Sequence, residues 1–184
     1  MFLHLEYLEK KKGFYSKRKQ AEERARHRSS CEEVTLDEIY ALLPKSFQQL
    51  KSKEMALEEQ VLRARADVKE VFLYAKKKKI ILLSDMYLSK VFLEKVLVKN
   101  GFEGAELFLS SDIKKRKKTG HLYEYVIKKL NLEPEVILHI GDNFKSDGLK
   151  AIEKGIHSFI IPKIINLFFK ENERAKGLWN KKKT

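Results

Sequence analysis

Two carboxylates, a lysine and a serine hydroxyl carry most of the chemistry this chain can offer. The carboxylates are Asp142 and Asp147, in the stretch V-I-L-H-I-G-D-N-F-K-S-D over residues 136–147. The apolar run before Gly141 is rich in β-branched residues. A buried parallel strand should therefore end near Ile140 and deliver Asp142 to the carboxyl edge of a sheet. Gly141 suits the turn there because it has no Cβ. The following turn is expected to bring Asp147 back beside Asp142. Such a pair, in a chain with an excess of Lys and Arg, suits one hard divalent cation better than general acid–base work. The alternative is a β-turn whose Asp and Asn side chains only hold the backbone. The stretch by itself leaves the two readings level.

Two more apolar runs end in polar residues. Ser84 and Asp85 close one, and Ser110, Ser111 and Asp112 close another, followed by K-K-R-K-K-T-G over residues 114–120. In a parallel sheet these ends share one edge. Singly, a serine after a strand is usually a helix cap, and a lysine run is usually a solvated surface. Together, a hydroxyl donor, a fixed cation and paired carboxylates supply what phosphoryl transfer needs.

The elements that would position these groups follow from periodicity. Residues 1–66 read as helix throughout. Residues 14–28 are highly charged, with a narrow stripe of Phe14, Tyr15, Ala21 and Ala25. Thr35 and Glu38 form a capping box, with Val34 and Ile39 placed as a hydrophobic staple. That helix carries Leu36, Ile39, Tyr40 and Leu43 and stops at Pro44. A longer helix should reach about Arg65, with Leu50, Leu57, Val61 and Leu62 facing inward. Asp67 then reads as an N-cap with Glu70 three positions on. From there strands at 80–84, 106–109, 136–140 and 158–161 alternate with helices at about 68–75, 89–100, from 119, and 146–154. That alternation predicts an α/β fold with a parallel sheet and right-handed crossovers. The tail from Lys163 holds Ile164, Ile165, Leu167, Phe168 and Phe169, which need cover.

Composition narrows the partners. The 184 residues carry 39 Lys and Arg against 26 Asp and Glu, a net charge of +13, so the surface attracts anions. The lysine runs at 10–12, 76–79, 114–118 and 181–183 lack the interleaved aromatics of a base-stacking surface. Nucleic acid therefore ranks below a phosphorylated small molecule as partner. No apolar run is long enough to cross a bilayer, and the N-terminus lacks the layout of a signal peptide. One cysteine, Cys31, excludes an internal disulfide and a cysteine-based zinc cluster, which makes a reducing cytoplasm the default. His139 lies in a strand interior and reads as a hydrogen-bonded core residue. His4, His27, His121 and His157 have no ligand spacing. Trp179 stands alone in a basic tail.

These motifs carry a resemblance. The chain resembles the haloacid dehalogenase superfamily of phosphohydrolases, and within it a subgroup found near surface-polysaccharide glycosyltransferases. I-L-L-S-D-M-Y-L over residues 81–88 is similar to the family's second motif, and the resemblance gives Ser84 the phosphate-binding hydroxyl, with the Asp85 backbone beside it. Residues 110–120 resemble the third motif, where Lys117 would steady nucleophile and phosphate. H-I-G-D-N-F-K-S-D is similar to the fourth, making Asp142 the direct Mg2+ ligand and Asp147 its supporting acid. The fold implied is a parallel Rossmann-like core over residues 67–184, with a helical cap over 1–66.

One motif is missing. The family's first motif is a D-x-D that supplies the nucleophile, the general acid/base and a metal ligand, and no D-x-D occurs in these 184 residues. The expectation is therefore an N-terminally truncated, inactive phosphatase-like chain with weak Mg2+ binding. The alternatives are a non-catalytic phosphate-binding or scaffolding relative and, third, a nucleic-acid binder. The strand implied to be absent sits mid-sheet in the family, so the strands at 80 and 136 should either pair directly or accept another segment. Residues 1–5 and 164–169 are apolar enough to try, the former expected as helix.

Overall fold

Capping and buried charge decide how the first helices sit. The structure, a computed structural model, describes residues 2–172. The chain forms two compact units that divide between Arg116 and Lys117. The first holds helices α1 (Phe2–Leu8), α2 (Phe14–Arg28), α3 (Leu36–Ala41), α4 (Lys45–Gln48), α5 (Lys51–Val61) and α6 (Ala66–Ala75). Strand β1 (Ile81–Ser84), α7 (Lys90–Lys99), β2 (Glu106–Leu109) and α8 (Ser110–Ile113) complete it. The Glu6 carboxylate accepts from the Gly13 and Tyr15 amides at 3.0 and 2.8 Å, satisfying N–H groups at the start of α2. The expected capping box is present at α3: Thr35 Oγ1 accepts from the Glu38 amide at 3.2 Å, and Glu38 accepts from the Thr35 amide.

The core of this unit is built on α1 to α5 and continues into the loop after β1. Phe14, Ala21, Ile39, Leu50 and Leu88 are fully buried together, with Met86 and Tyr87 packed against them. The stripe on α2 includes a residue that periodicity did not supply. Arg18 is completely buried, and its guanidinium makes a fork to the equally buried Glu54, at 3.1 and 3.0 Å. Tyr40 donates to the same carboxylate at 2.6 Å, and Tyr87 lies under the guanidinium, 5.0 Å from ring centroid to Cζ. Burial first, then the Glu54 carboxylate, pushes the Tyr40 phenol well above its ordinary range.

The second unit holds α9 (His121–Leu130), a 3-10 turn at Pro134–Val136, β3 (Leu138–Gly141) and a π-helical turn, Phe144–Leu149. It continues through α10 (Lys150–Glu153), β4 (His157–Ile160) and α11 (Ile164–Glu171). Every strand pairing is parallel, as the alternation predicts. The ladders are two: β1 with β2, Ser84 opposite Leu109, and β3 with β4, Gly141 opposite Ile160. Within each unit the ladder has two strands among the described residues, and no third segment of that unit is added to it.

Several expectations need correction. Helix α6 begins at Ala66, and Asp67 pairs with Arg65 instead of capping. The long helix expected after Pro44 is split by a break at Gln49 and Leu50 into α4 and α5, ends at Val61, and leaves Val61 exposed. Pro134 starts a short turn that delays β3 to Leu138. Residues 164–169 are helical, because their apolar spacing is that of a helix face. Residues 1–5 give helix from Phe2, as expected, while Trp179 and the lysines at 181–183 lie outside the described residues.

Two stability outcomes follow. Glu54→Gln removes the carboxylate from a buried guanidinium and should cost about 3–5 kcal/mol in denaturant unfolding. Thr35→Ala should cost about 1 kcal/mol. The Thr35 amide holds the Glu38 carboxyl below its usual range, against burial and together with the Thr35 hydroxyl and Lys114. A depressed carboxyl contributes above its unfolded pKa and loses that contribution as pH falls through the folded value. Thr35→Ala keeps the amide but loses the hydroxyl's bond to the Glu38 carboxylate, so only that part of its penalty should shrink in acid.

Candidate functional site

The fourth-motif stretch forms a tight cradle around Asp147. Asn143 O accepts from both the Asp147 amide (2.7 Å) and the Gly148 amide (3.3 Å), which widens the turn into a π-helical one. The Asn143 side chain caps it, accepting from the Lys145 and Ser146 amides at 3.0 and 3.2 Å. This turn folds the Asp147 side chain back against the end of β3. A Cβ placed on Gly141 would lie 2.5 Å from the Cβ, Cγ and Oδ2 of Asp147. Gly141 is thus required for room beneath a carboxylate, in keeping with its choice at this turn as a residue without Cβ, and its φ is not in the left-handed region.

Asp147 is only 4% exposed, and its oxygens are fully engaged. Oδ1 accepts from Lys117 Nζ at 2.7 Å and lies 3.2 Å from His139 Nε2, while Oδ2 accepts from the Asn143 amide at 3.0 Å. Burial pushes this carboxyl up, yet the His139 bond, the Lys117 charge and the Asn143 amide outweigh it. The net effect holds the carboxyl far below the usual carboxylate range. The geometry therefore makes Asp147 the counter-ion that fixes Lys117. Asp142, by contrast, is exposed, and no bond to its side chain exists among the described residues. No group of three His, Cys, Asp or Glu able to hold a metal occurs among the described residues. The exposed Asp142 carboxylate is the kind of oxygen donor that would suit a hard cation such as Mg2+.

The second motif lies in the first unit. Ser84 ends β1 and Asp85 follows it, and the loop that begins there is pinned by the two serines after β2. Ser110 Oγ accepts from the Met86 amide at 2.8 Å, and Ser111 Oγ donates to Leu88 O at 2.9 Å. Leu36 N also donates to Tyr87 O at 2.9 Å, tying the loop to α3. Below it, Glu33 is buried and accepts from Ser110 Oγ (3.2 Å), the Val34 amide (3.0 Å) and Arg26. Arg116 Nε stands 3.6 Å from Glu33 and 3.8 Å from Asp85.

The structure thus brings Lys117 and Asp147 into direct contact and leaves Asp142 open nearby in sequence, with Ser84 and Asp85 in the other unit. Two participants escaped the sequence reading. His139 was read as a hydrogen-bonded core residue, which its largely buried ring and its bond to Asp147 bear out, but its partner was not named; its shared strand face with Gly141, two positions on, was the available signal. Glu33 gave no signal, because a charged residue in a polar loop reads as solvated.

Comparison with known proteins adds two findings. A family model described as haloacid dehalogenase-like hydrolase matches residues 6–153. Among solved structures, a predicted phosphoglycolate phosphatase from Haemophilus somnus 129PT is similar. It shows a TM-score of 0.52 and 14% identity, covering 80% of this chain and 82% of that one. At that identity the likeness speaks for fold alone. No curated protein matches.

Gly141→Ala should displace the Asp147 carboxylate, since the added methyl meets it at 2.5 Å. The expected cost is about 1–3 kcal/mol by chemical denaturation, with overpacking as the cause.

Proposed function

The chain belongs to the haloacid dehalogenase-like hydrolase family, and from that premise we propose that it binds the phosphoryl group of a phosphorylated small molecule, a sugar phosphate being the favoured class. In this reading the Ser84 hydroxyl and Asp85 amide donate to phosphate oxygens, and Lys117 supplies a fixed positive charge. Asp142 holds Mg2+ weakly, and residues 1–66 act as the cap over a core of 67–184. The observation that carries the proposal is the 2.7 Å Lys117–Asp147 ion pair inside a cradle that leaves Asp142 open to a ligand. A lysine held by a buried carboxylate is pre-oriented, so little entropy is lost when an anion arrives. Mg2+, when bound, would neutralise charge on the phosphoryl oxygens.

A second reading, a phosphate binder without turnover, is favoured by a specific observation. The 184 residues contain no D-x-D, so they place no carboxylate nucleophile for a covalent aspartyl-phosphate route. The chain as given should show no hydrolysis of an aryl phosphate with Mg2+ above the buffer rate. Tungstate, a phosphate mimic, should still bind, and Ser84→Ala and Lys117→Ala should each weaken it by about 10-fold, the worth of one hydrogen bond to a charged group. Mg2+ affinity without substrate should be on the order of millimolar, and Asp142→Asn should remove it. Turnover abolished by Asp142→Ala would overturn the non-catalytic reading. Tungstate binding indifferent to Ser84 and Lys117 would overturn the phosphate site.

A further inference from the structure

We propose that His139 is a positioning residue that sets the place of the Lys117 ammonium through the Asp147 carboxylate. The proposal rests on the phosphate-site reading of Lys117. Three elements hold Asp147. Lys117 approaches from the segment before α9, His139 from β3, and the Asn143 amide from the start of the π-helical turn. Lys117 and His139 meet the same oxygen, Oδ1, at 2.7 and 3.2 Å. An ionised carboxylate only accepts, so His139 Nε2 must carry a proton to bond it. The imidazole is a donor here, and its lateral pull on Oδ1 sets the tilt of the carboxylate plane that Lys117 meets.

The ring itself is held. Tyr123 packs edge-on to His139 at 5.2 Å and 79°, and its hydroxyl donates to Ser146 O at 2.9 Å, next to Asp147. His139 also sits inside the β3–β4 ladder, opposite Ser158, whose Oγ donates to Asp147 O at 2.7 Å. The strand, the aromatic contact and the turn therefore hold the imidazole through contacts that do not involve Lys117. A lysine on a flexible four-carbon stem has no such constraint of its own. Losing the imidazole donor leaves Oδ1 with one partner fewer, and the carboxylate and ammonium then sample more orientations together. A histidine that only filled space would do none of this, and an apolar ring would replace it.

The test separates those roles. In His139→Phe the ring against Tyr123 is kept and the donor is lost; in His139→Gln a side-chain N–H returns. The full chain is followed by NMR of the Lys117 ammonium, which is slow to exchange when ion-paired, and by tungstate titration. Expected are a Lys117 signal in wild type, its broadening or loss in His139→Phe, and recovery in His139→Gln. Tungstate affinity should fall about 10-fold in His139→Phe, the scale of one charge-assisted hydrogen bond, and return at least in part in His139→Gln. An unchanged Lys117 signal and tungstate affinity in a folded His139→Phe would overturn the proposal. If that variant does not fold, His139→Leu against His139→Gln makes the same comparison of donor with no donor, and equality would again overturn it. Should wild type bind no tungstate, the phosphate-site reading fails, while the Lys117 signal still decides the role of His139.

Discussion

A carboxylate removed from water stays ionised only if donors replace the solvent it lost. Asp147 meets that demand with an ammonium, an imidazole and a backbone amide, and the local structure of the second unit is arranged to bring them there. Gly141 has no side chain because the carboxylate occupies its Cβ position. The turn widens to a π-helical one because Asn143 O takes two amides, which aims Asp147 back at the strand. Lys117 is held at the exit of the basic run because Asp147 waits for it. The open carboxylate, Asp142, is what the arrangement leaves over for a ligand.

The first unit solves a similar problem twice. Arg18 and Glu54 are both fully buried, and each would be prohibitively costly alone. Their fork, the Tyr40 hydroxyl and the Tyr87 ring satisfy the charges together, and Tyr87 belongs to the loop that begins at Ser84. Glu33 repeats the device with Ser110, the Val34 amide, Arg26 and Arg116. The helical region and the Ser84 loop are thereby fastened by charge as well as by apolar packing. Small displacements of α2 or α5 would be felt at the second motif.

Much of this was legible beforehand, for physical reasons. The capping box at Thr35 and Glu38, the strand at Glu106–Leu109 and the helix stop near Gly101 follow from local hydrogen bonding and backbone preference, which neighbours along the chain settle. The polar residues that follow β1, β2 and β3 were readable as strand ends because an apolar run stops at each. Less legible was Arg18 on the buried stripe of α2. A buried charge looks like a surface charge until its partner is found, and Glu54 lies 36 residues from Arg18.

The sequence by itself determined the α/β alternation, the parallel direction of the strands, the family motifs and the lack of a D-x-D, since each depends on residue type and short-range spacing. Only the tertiary structure decided that Asp147 serves Lys117 while Asp142 stays open, that Gly141 exists to make room, and that Ser110 and Ser111 pin a loop. Those roles depend on which groups meet in space and on how much water they exclude, and residue type along the chain does not by itself encode either.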